Sequence, residues 1–356
     1  MKMNKLTLLA LSIGLIFTSC TSDDNPVDVI KGDYDNGLLI VNEGNFFQGN
    51  ASVSYVSNDY SIVENNIFDN VNSRLLGDTA QSMAFSEGLA YIVVNVSQKI
   101  EVVDRYTFES IATIDTELVN PRYMAFANGK GYVTDWGDGG STTDDVVAVI
   151  NLSTNTVESS ISVGEGPEQI LAKDGKLYVS HKGGWSTNNI ISVIDTATNA
   201  VQTVLVNDVP DEMIFNQAGE LVVLCEGATQ YDANWNLTGH TDGSIVRINV
   251  SNNSTVSTLI FNDDKYPSLM AYKDGKLYYQ AGSKIYSLTD TATSLPTESI
   301  INDSFYGMAV NNNTLYGVKT DFVGGTGDML IYDLSTKSLT STKTLKVGAA
   351  KIYFND

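Results

Sequence analysis

The chain has 356 residues, a net charge of −21 and 42% apolar residues. That apolar content supports a substantial core and excludes general disorder, while length alone allows one large domain or two ordinary ones. The acidic excess argues against nucleic acid, whose phosphates require Lys and Arg, and against adhesion to an anionic membrane through a basic surface.

The first residues, "MKMNKLTLLALSIGLIFTSC", carry Lys2 and Lys5, an apolar run from Leu6 to Phe17, and small polar residues before Cys20. The run is too short for a membrane span and reads as a signal peptide over residues 1–19. "FTSC" resembles a lipobox, which makes Cys20 the lipidated residue. The following "TSDDNP" looks like the acidic tag that sends some Gram-negative lipoproteins to the outer face. Residues 20–36 then form the lipidated cysteine and a polar tether. The other cysteine, Cys225 in "ELVVLCEG", lies in an apolar strand as a small core residue, so no disulfide framework forms.

From residue 37 onward, short runs rich in Val, Ile and Tyr alternate with Gly, Asn and Asp. One phrase recurs: "MAFSEGLAYIVV", "MAFANGKGYVTD", "ILAKDGKLYVSH", "MIFNQAGELVVL", "LMAYKDGKLYYQ" and "MAVNNNTLYGVK". Aligned at the turn, these copies place Tyr91, Tyr132, Tyr178, Val222, Tyr278 and Tyr316 in register, 41, 46, 44, 56 and 38 residues apart. A third and a fourth short strand follow each phrase. Four strands every forty-odd residues is the signature of a β-propeller blade.

The terminal "VGAAKIYFND" matches the start of a copy and stops at Asp356, where the copy at Ile170 continues into Gly175 and Tyr178. Gly37-Leu38-Leu39-Ile40 supplies the missing half. Residues 37–356 are therefore expected to fold as an all-β, seven-bladed propeller. Its ring is closed by three N-terminal strands and a C-terminal inner strand, which leaves no open edge between first and last blades.

"YVTD" at Tyr132 to Asp135, "VIDT" at Val193 to Thr196 and "VGEGPEQI" at Val163 to Ile170 resemble the YVTN-type propeller repeat, over residues 37–356. The lipobox, the short tether and the opening "GLLIVNEGNFFQGNASVSYV" are similar to surface lipoproteins of Gram-negative bacteria. One such group captures vitamin B12, a corrinoid, and hands it to a TonB-dependent outer-membrane transporter. That resemblance implies an outer-membrane location facing the cell surface, a membrane contact through the lipid only, and a corrinoid ligand. His181 and His240 are candidate ligands for its cobalt.

In a four-stranded blade, the turn between strands two and three and the connection into strand one share one face. Here these segments are long and aromatic. The turns offer Phe46, Phe47, Trp136, His181, Trp185, Tyr231, Trp235 and Phe322; the connections offer Arg122, Tyr123, Glu168, Tyr266 and Tyr306. Large rings with polar handles suit a bulky, partly polar ligand at the channel mouth. The alternative is that these rings pack on one another and stiffen Gly-rich loops.

Catalytic motifs are thin. No phosphate-cradling glycine loop and no Gly-x-Ser-x-Gly elbow is present. "DANWN" at Asp232 to Asn236 begins like a calcium loop but has Leu237 where glycine is required, and so reads as a turn. Asp135, Asp138, Asp144 and Asp145 are an alternative structural calcium site. Some YVTN-type propellers hydrolyse sugar lactones, and Arg122, Glu168 and His181 are the residues such an enzyme would recruit. A structural or adhesive surface protein is the third reading.

Overall fold

The structure is a computed structural model, which describes residues 31–262 and 265–356. The signal peptide, Cys20 and the first part of the tether lie outside the described residues. Seven antiparallel sheets follow one another as blades I to VII. Blade II shows the plan: strands Ala80–Ser86, Leu89–Val94, Lys99–Asp104 and Ser110–Ile114, ordered from the channel outward. Blades III, IV and V begin with Pro121–Ala127, Pro167–Lys173 and Pro210–Phe215; blades VI and VII begin with Pro267–Lys273 and Gly307–Asn311.

The turns explain why the text repeats. Between strands one and two, Asn128-Gly129, Asp174-Gly175 and Asp274-Gly275 all have positive φ at both positions. That is the type I′ geometry whose twist matches a hairpin, and Asn, Asp and Gly reach it with least strain. At the end of strand three, Asp104, Asn151, Asp195, Asn249 and Asp333 each accept a backbone N–H two residues on. These side chains mimic a backbone turn, so Asx residues recur there.

The repeated tyrosines join neighbouring blades. Tyr91, Tyr132 and Tyr178 are almost fully buried. Tyr91 of blade II packs on Phe126 of blade III at 5.1 Å, and Tyr178 of blade IV on Phe215 of blade V at 5.4 Å. Edge-on pairs of this kind add about 0.5–1.5 kcal/mol beyond the area they bury. Tyr316 of blade VII makes the same contact with Phe354 at 5.7 Å, across the junction between the two ends of the chain.

That junction is blade I. Its inner strand is Ala349–Asn355, paired with Gly37–Asn42, then Ser52–Ser57 and Val63–Glu64. The register runs from Gly37 opposite Asn355 to Asn42 opposite Ala349. Asn355 adds a side-chain stitch: its Nδ2 donates to the carbonyls of Tyr34 and Arg105, and its Oδ1 accepts from Arg105. Gly307 permits the close approach beside it, because a Cβ there would collide with the carbonyl of Ala350.

Two blades depart from the plan. Blade V carries an extra hairpin, Thr229–Tyr231 with Leu237–His240, between its second and third strands. In blade VI the fourth strand shrinks to a single bridge between Ile285 and Ile301. Among the described residues one short helix, Ile67–Asn72, links blades I and II, and no helix is long and apolar enough to cross a membrane.

Strand direction also fixes a polarity. The chain enters blade I at Gly37, where Asn36 donates to Asn355 and Tyr34 to Tyr106. The start of the inner strand, Ala349, and the end of the next, Asn42, lie at the opposite end of the ladder. Residues 31–36 therefore lie on the face opposite the aromatic turns.

Deleting Lys351 to Asp356 removes the inner strand of blade I and exposes the edge of Gly37–Asn42. Thermal denaturation followed by circular dichroism should show loss of folding or a Tm lower by more than about 10 °C, since several kcal/mol of buried contact are removed.

Candidate functional site

The channel mouth is built from an irregularity at the start of the inner strands. "PRYM", "PEQI" and "PDEM" open blades III, IV and V, and in each the pairing register slips between the proline and the Met or Ile. Proline lacks the ladder N–H, and a bulge re-aims the residues beside it. The residues after the proline, Arg122-Tyr123, Glu168 and Asp211-Glu212, line a funnel of about 450 Å³.

Side chains from other blades complete the funnel as a charge network. Arg122 forms a two-pronged pair with Glu168, at 3.0 and 2.8 Å, and its guanidinium lies 4.0 Å over the Trp136 ring. Trp136 Nε1 donates to the Pro167 carbonyl at 2.8 Å, which fixes that wall. Lys182 bridges Asp211 at 2.6 Å and Glu226 at 3.2 Å. Lys351 meets Glu212 at 3.3 Å, beside the Tyr123 ring. Tyr306 donates to Glu43 at 2.7 Å.

Electrostatics within the funnel are unequal. Burial, then the neighbouring Asp211, pushes the Glu226 carboxyl up to about 7. For Asp211, burial acts upward but Lys182 and Lys351 outweigh it, leaving the carboxyl below its ordinary value. Burial raises Glu43. Lys182 and Lys351 stay charged despite burial because carboxylates face them. Asp211 and Glu226 share Lys182, and of the two it is Glu226, raised by burial and by the Asp211 charge, that takes up a proton first.

An open aromatic cleft of about 740 Å³ joins the funnel at Lys182, Glu226 and Ser268. Its walls are Trp185, Tyr231, Trp235, His240 and Tyr266. The inserted hairpin of blade V supplies Tyr231 and His240 and holds Trp235 in its turn. Tyr231 and Trp235 sit 6.1 Å apart, and His240 lies against Tyr266 at 3.7 Å. Trp185 and Trp235 are 82% and 83% exposed, an unusual state for the largest of the side chains, which is highly buried on average. Asp232 accepts the N–H groups of Asn234 and Asn236, so "DANWN" is indeed a turn.

The remaining residues separate into two groups. Phe46 and Phe47 lie 4.1 Å apart, tilted at 44° to each other, and stay exposed beside blade VII, where Asn45 donates to the Phe322 carbonyl. Phe322 packs edge-on to Tyr306 at 5.8 Å. Tyr306 lines the funnel, whereas Phe46, Phe47 and Phe322 flank it near Glu43 and line neither cavity. His181 is placed differently from the expectation that its ring faces the mouth. It is fully buried, with Nε2 bonded to Ser192 Oγ at 2.8 Å and Nδ1 to the Glu165 carbonyl at 3.2 Å. Burial lowers its pKa to about 4, so the ring is neutral, and its nitrogens are occupied.

The acidic loop after Trp136 does not fit a calcium ion. Asp135 accepts the N–H groups of Val119, Asn120 and Gly137, Asp138 that of Gly140, and Asp144 that of Asp138. Among the described residues no three His, Cys, Asp or Glu side chains converge as a metal site. Asp145 is buried, with Oδ1 bonded to the Gly166 N–H and Oδ2 without a partner, and burial pushes its carboxyl up to about 6.

Glu43, Lys182, Asp211, Glu212, Glu226 and Lys351 were not singled out by sequence reasoning. A usable signal existed for Asp211 and Glu212, since "VPDEM" repeats the grammar of "NPRYM" and "GPEQI". Lys182 and Glu226 follow the ends of second strands, where no repeat marks them.

Two measurements check this site. Glu168→Ala leaves the Arg122 charge buried, so urea denaturation should show a loss of about 3 kcal/mol. Asp145 has a folded pKa above its unfolded value, so it costs stability once pH rises above about 4 and most above about 6. Asp145→Asn should therefore raise Tm at pH 8 and leave it nearly unchanged at pH 4.

No curated protein matches the sequence. Among solved structures, a quinonprotein alcohol dehydrogenase-like protein from Bacteroides thetaiotaomicron superposes with a TM-score of 0.66 and 12% identity, covering 91% of this chain and 79% of that one. A candidate 6-phosphogluconolactonase from Bacteroides fragilis superposes with a TM-score of 0.61 and 13% identity, covering 91% and 99%. A functionally unknown protein from Desulfotomaculum acetoxidans gives 0.63 and 10%, covering 90% and 98%. At these identities the likeness is one of fold. Residues 36–354 match the family described as a domain of unknown function, DUF5074, and the chain belongs to that family.

Proposed function

We propose that the chain is a surface lipoprotein, anchored through Cys20, whose propeller mouth captures a bulky, partly polar ligand. One observation carries this reading: a large cleft walled by five rings opens directly into a charged funnel. Exposed tryptophans are unfavourable in a free protein unless something covers them, and stacking on a planar ligand does so. The funnel then fixes orientation through charged and amide groups.

A corrinoid of the vitamin B12 class fits this division between a flat conjugated body and a polar periphery. The resemblance to B12-capturing lipoproteins points the same way and adds a TonB-dependent transporter as the receiving partner. Residues 31–36 lie on the face opposite the mouth. A lipid on Cys20 would therefore leave the mouth free to meet ligand or transporter. His240 remains a candidate contact to cobalt, whereas His181 is enclosed.

The lactonase alternative draws on the same mouth and on the distant likeness to the B. fragilis structure. It loses His181, whose ring does not reach solvent. The Arg122–Glu168 pair is also closed on itself rather than poised toward the funnel centre.

Titration of the purified domain with cyanocobalamin should quench Trp fluorescence with a submicromolar Kd. Trp185→Ala and Trp235→Ala should each weaken binding by about 10-fold, equivalent to about 1.4 kcal/mol. No quenching and no heat at micromolar ligand would refute corrinoid capture.

A further inference from the structure

We propose that the junction of the aromatic cleft with the funnel, where Glu226 lines both and Asp211 lines the funnel beside it, is a subsite for hydrogen-bond donors: the carboxamide or ammonium groups of the ligand. This rests on the ligand-capture reading and names the ligand chemistry that the mouth selects. Glu226 and Lys182 are the charged side chains that line both the cleft and the funnel, so a ligand stacked on the tryptophans reaches them first.

The donor and acceptor balance there is one-sided. Two carboxylates present about eight lone-pair positions, while Lys182 brings three N–H donors. Lys182 spends donors on Asp211 at 2.6 Å and on Glu226 at 3.2 Å. Both carboxylates line the funnel, so acceptors remain there for a donor. The wider funnel keeps the same sign, with five carboxylates (Glu43, Glu168, Asp211, Glu212 and Glu226) against Arg122, Lys182 and Lys351. An anionic group would meet repulsion, and a carboxamide or ammonium would meet unused acceptors.

Proton linkage follows. A donor favours the ionised pair, so ligand binding releases the proton that Glu226 holds near pH 7. Affinity then rises with pH across that range. A ligand that presents acceptors would prefer the protonated pair and give the opposite slope. Asp211 and Lys182 act on Glu226 directly; it also shares the funnel with Glu43, Arg122, Tyr123, Glu168, Glu212, Tyr306 and Lys351, and the cleft with Tyr231, His240 and Tyr266. His240 lines the same cleft as Glu226, so it is replaced separately as a control.

The test is calorimetric titration of cyanocobalamin from pH 6 to pH 8, repeated in phosphate and Tris to count protons. Wild-type affinity should rise about 10-fold, with proton release falling from close to one at pH 6 through about half at pH 7 to almost none at pH 8. Glu226→Gln should abolish the slope, and His240→Gln should retain it. A flat or falling wild-type profile with binding intact overturns the subsite while leaving ligand capture standing, as does a slope that survives Glu226→Gln. If cyanocobalamin does not bind, capture of corrinoid fails, and saturation-transfer NMR with putrescine and succinate decides the subsite alone. Putrescine binding to wild type but not to Glu226→Gln, with no succinate binding, supports it. Equal behaviour of the two probes, no putrescine binding, or putrescine binding that survives Glu226→Gln overturns it.

Discussion

The ladder between Ala349–Asn355 and Gly37–Asn42 is the constraint on which the rest of the molecule depends. Blade contacts run around the ring in one direction, with the second-strand Tyr91, Tyr178 and Tyr316 each packing on the inner strand of the next blade. Without the C-terminal strand, Tyr316 loses Phe354, and both edges of the junction open to solvent. The same strand brings Ala350 and Lys351 to the channel, where Lys351 faces Glu212 from across the ring. A clasp made of the first and last residues thus also sets the spacing of the charged mouth.

Binding features arise where the repeat is broken. In the regular blades the second and third strands are buried along almost their whole length, which leaves them nothing to offer a ligand. The proline-led bulges turn successive side chains inward, and the hairpin inserted in blade V raises a wall beside them. Rigid blades hold both, so the mouth needs little reorganisation when a ligand arrives. The charged pairs are internally satisfied to different degrees. Arg122 and Glu168 close on each other as a structural fork, whereas Asp211, Glu226 and Lys182 leave acceptors over.

The fold was legible because its chemistry repeats. Tyr91, Tyr132, Tyr178 and Tyr316 occupy one position for one reason, and Asn-Gly or Asp-Gly turns mark the hairpins between them. The split blade followed from counting residues around a closed ring. Blade VI shows the limit: its fourth strand dwindles at Ile301 because the segment around Pro296 cannot continue a ladder. The site was legible only in part. Trp185 and Trp235 stand out by type, but Lys182, Asp211 and Glu226 derive their meaning from meeting one another across two blades. His181 and His240 are indistinguishable by residue type, and burial separates them. His181 ends a strand that packs into the blade, while His240 lies on the inserted hairpin.

The central claim is that one face of the ring, the face away from residues 31–36, takes the ligand. Hydrogen–deuterium exchange with and without cyanocobalamin tests it directly, because it reports every segment at once. The account predicts slower exchange in residues 182–189, 226–242 and 266–270, with the Asx turns at Asp104, Asp195 and Asp333 unchanged. Protection confined to those turns, or no protection anywhere at saturating ligand, would contradict it.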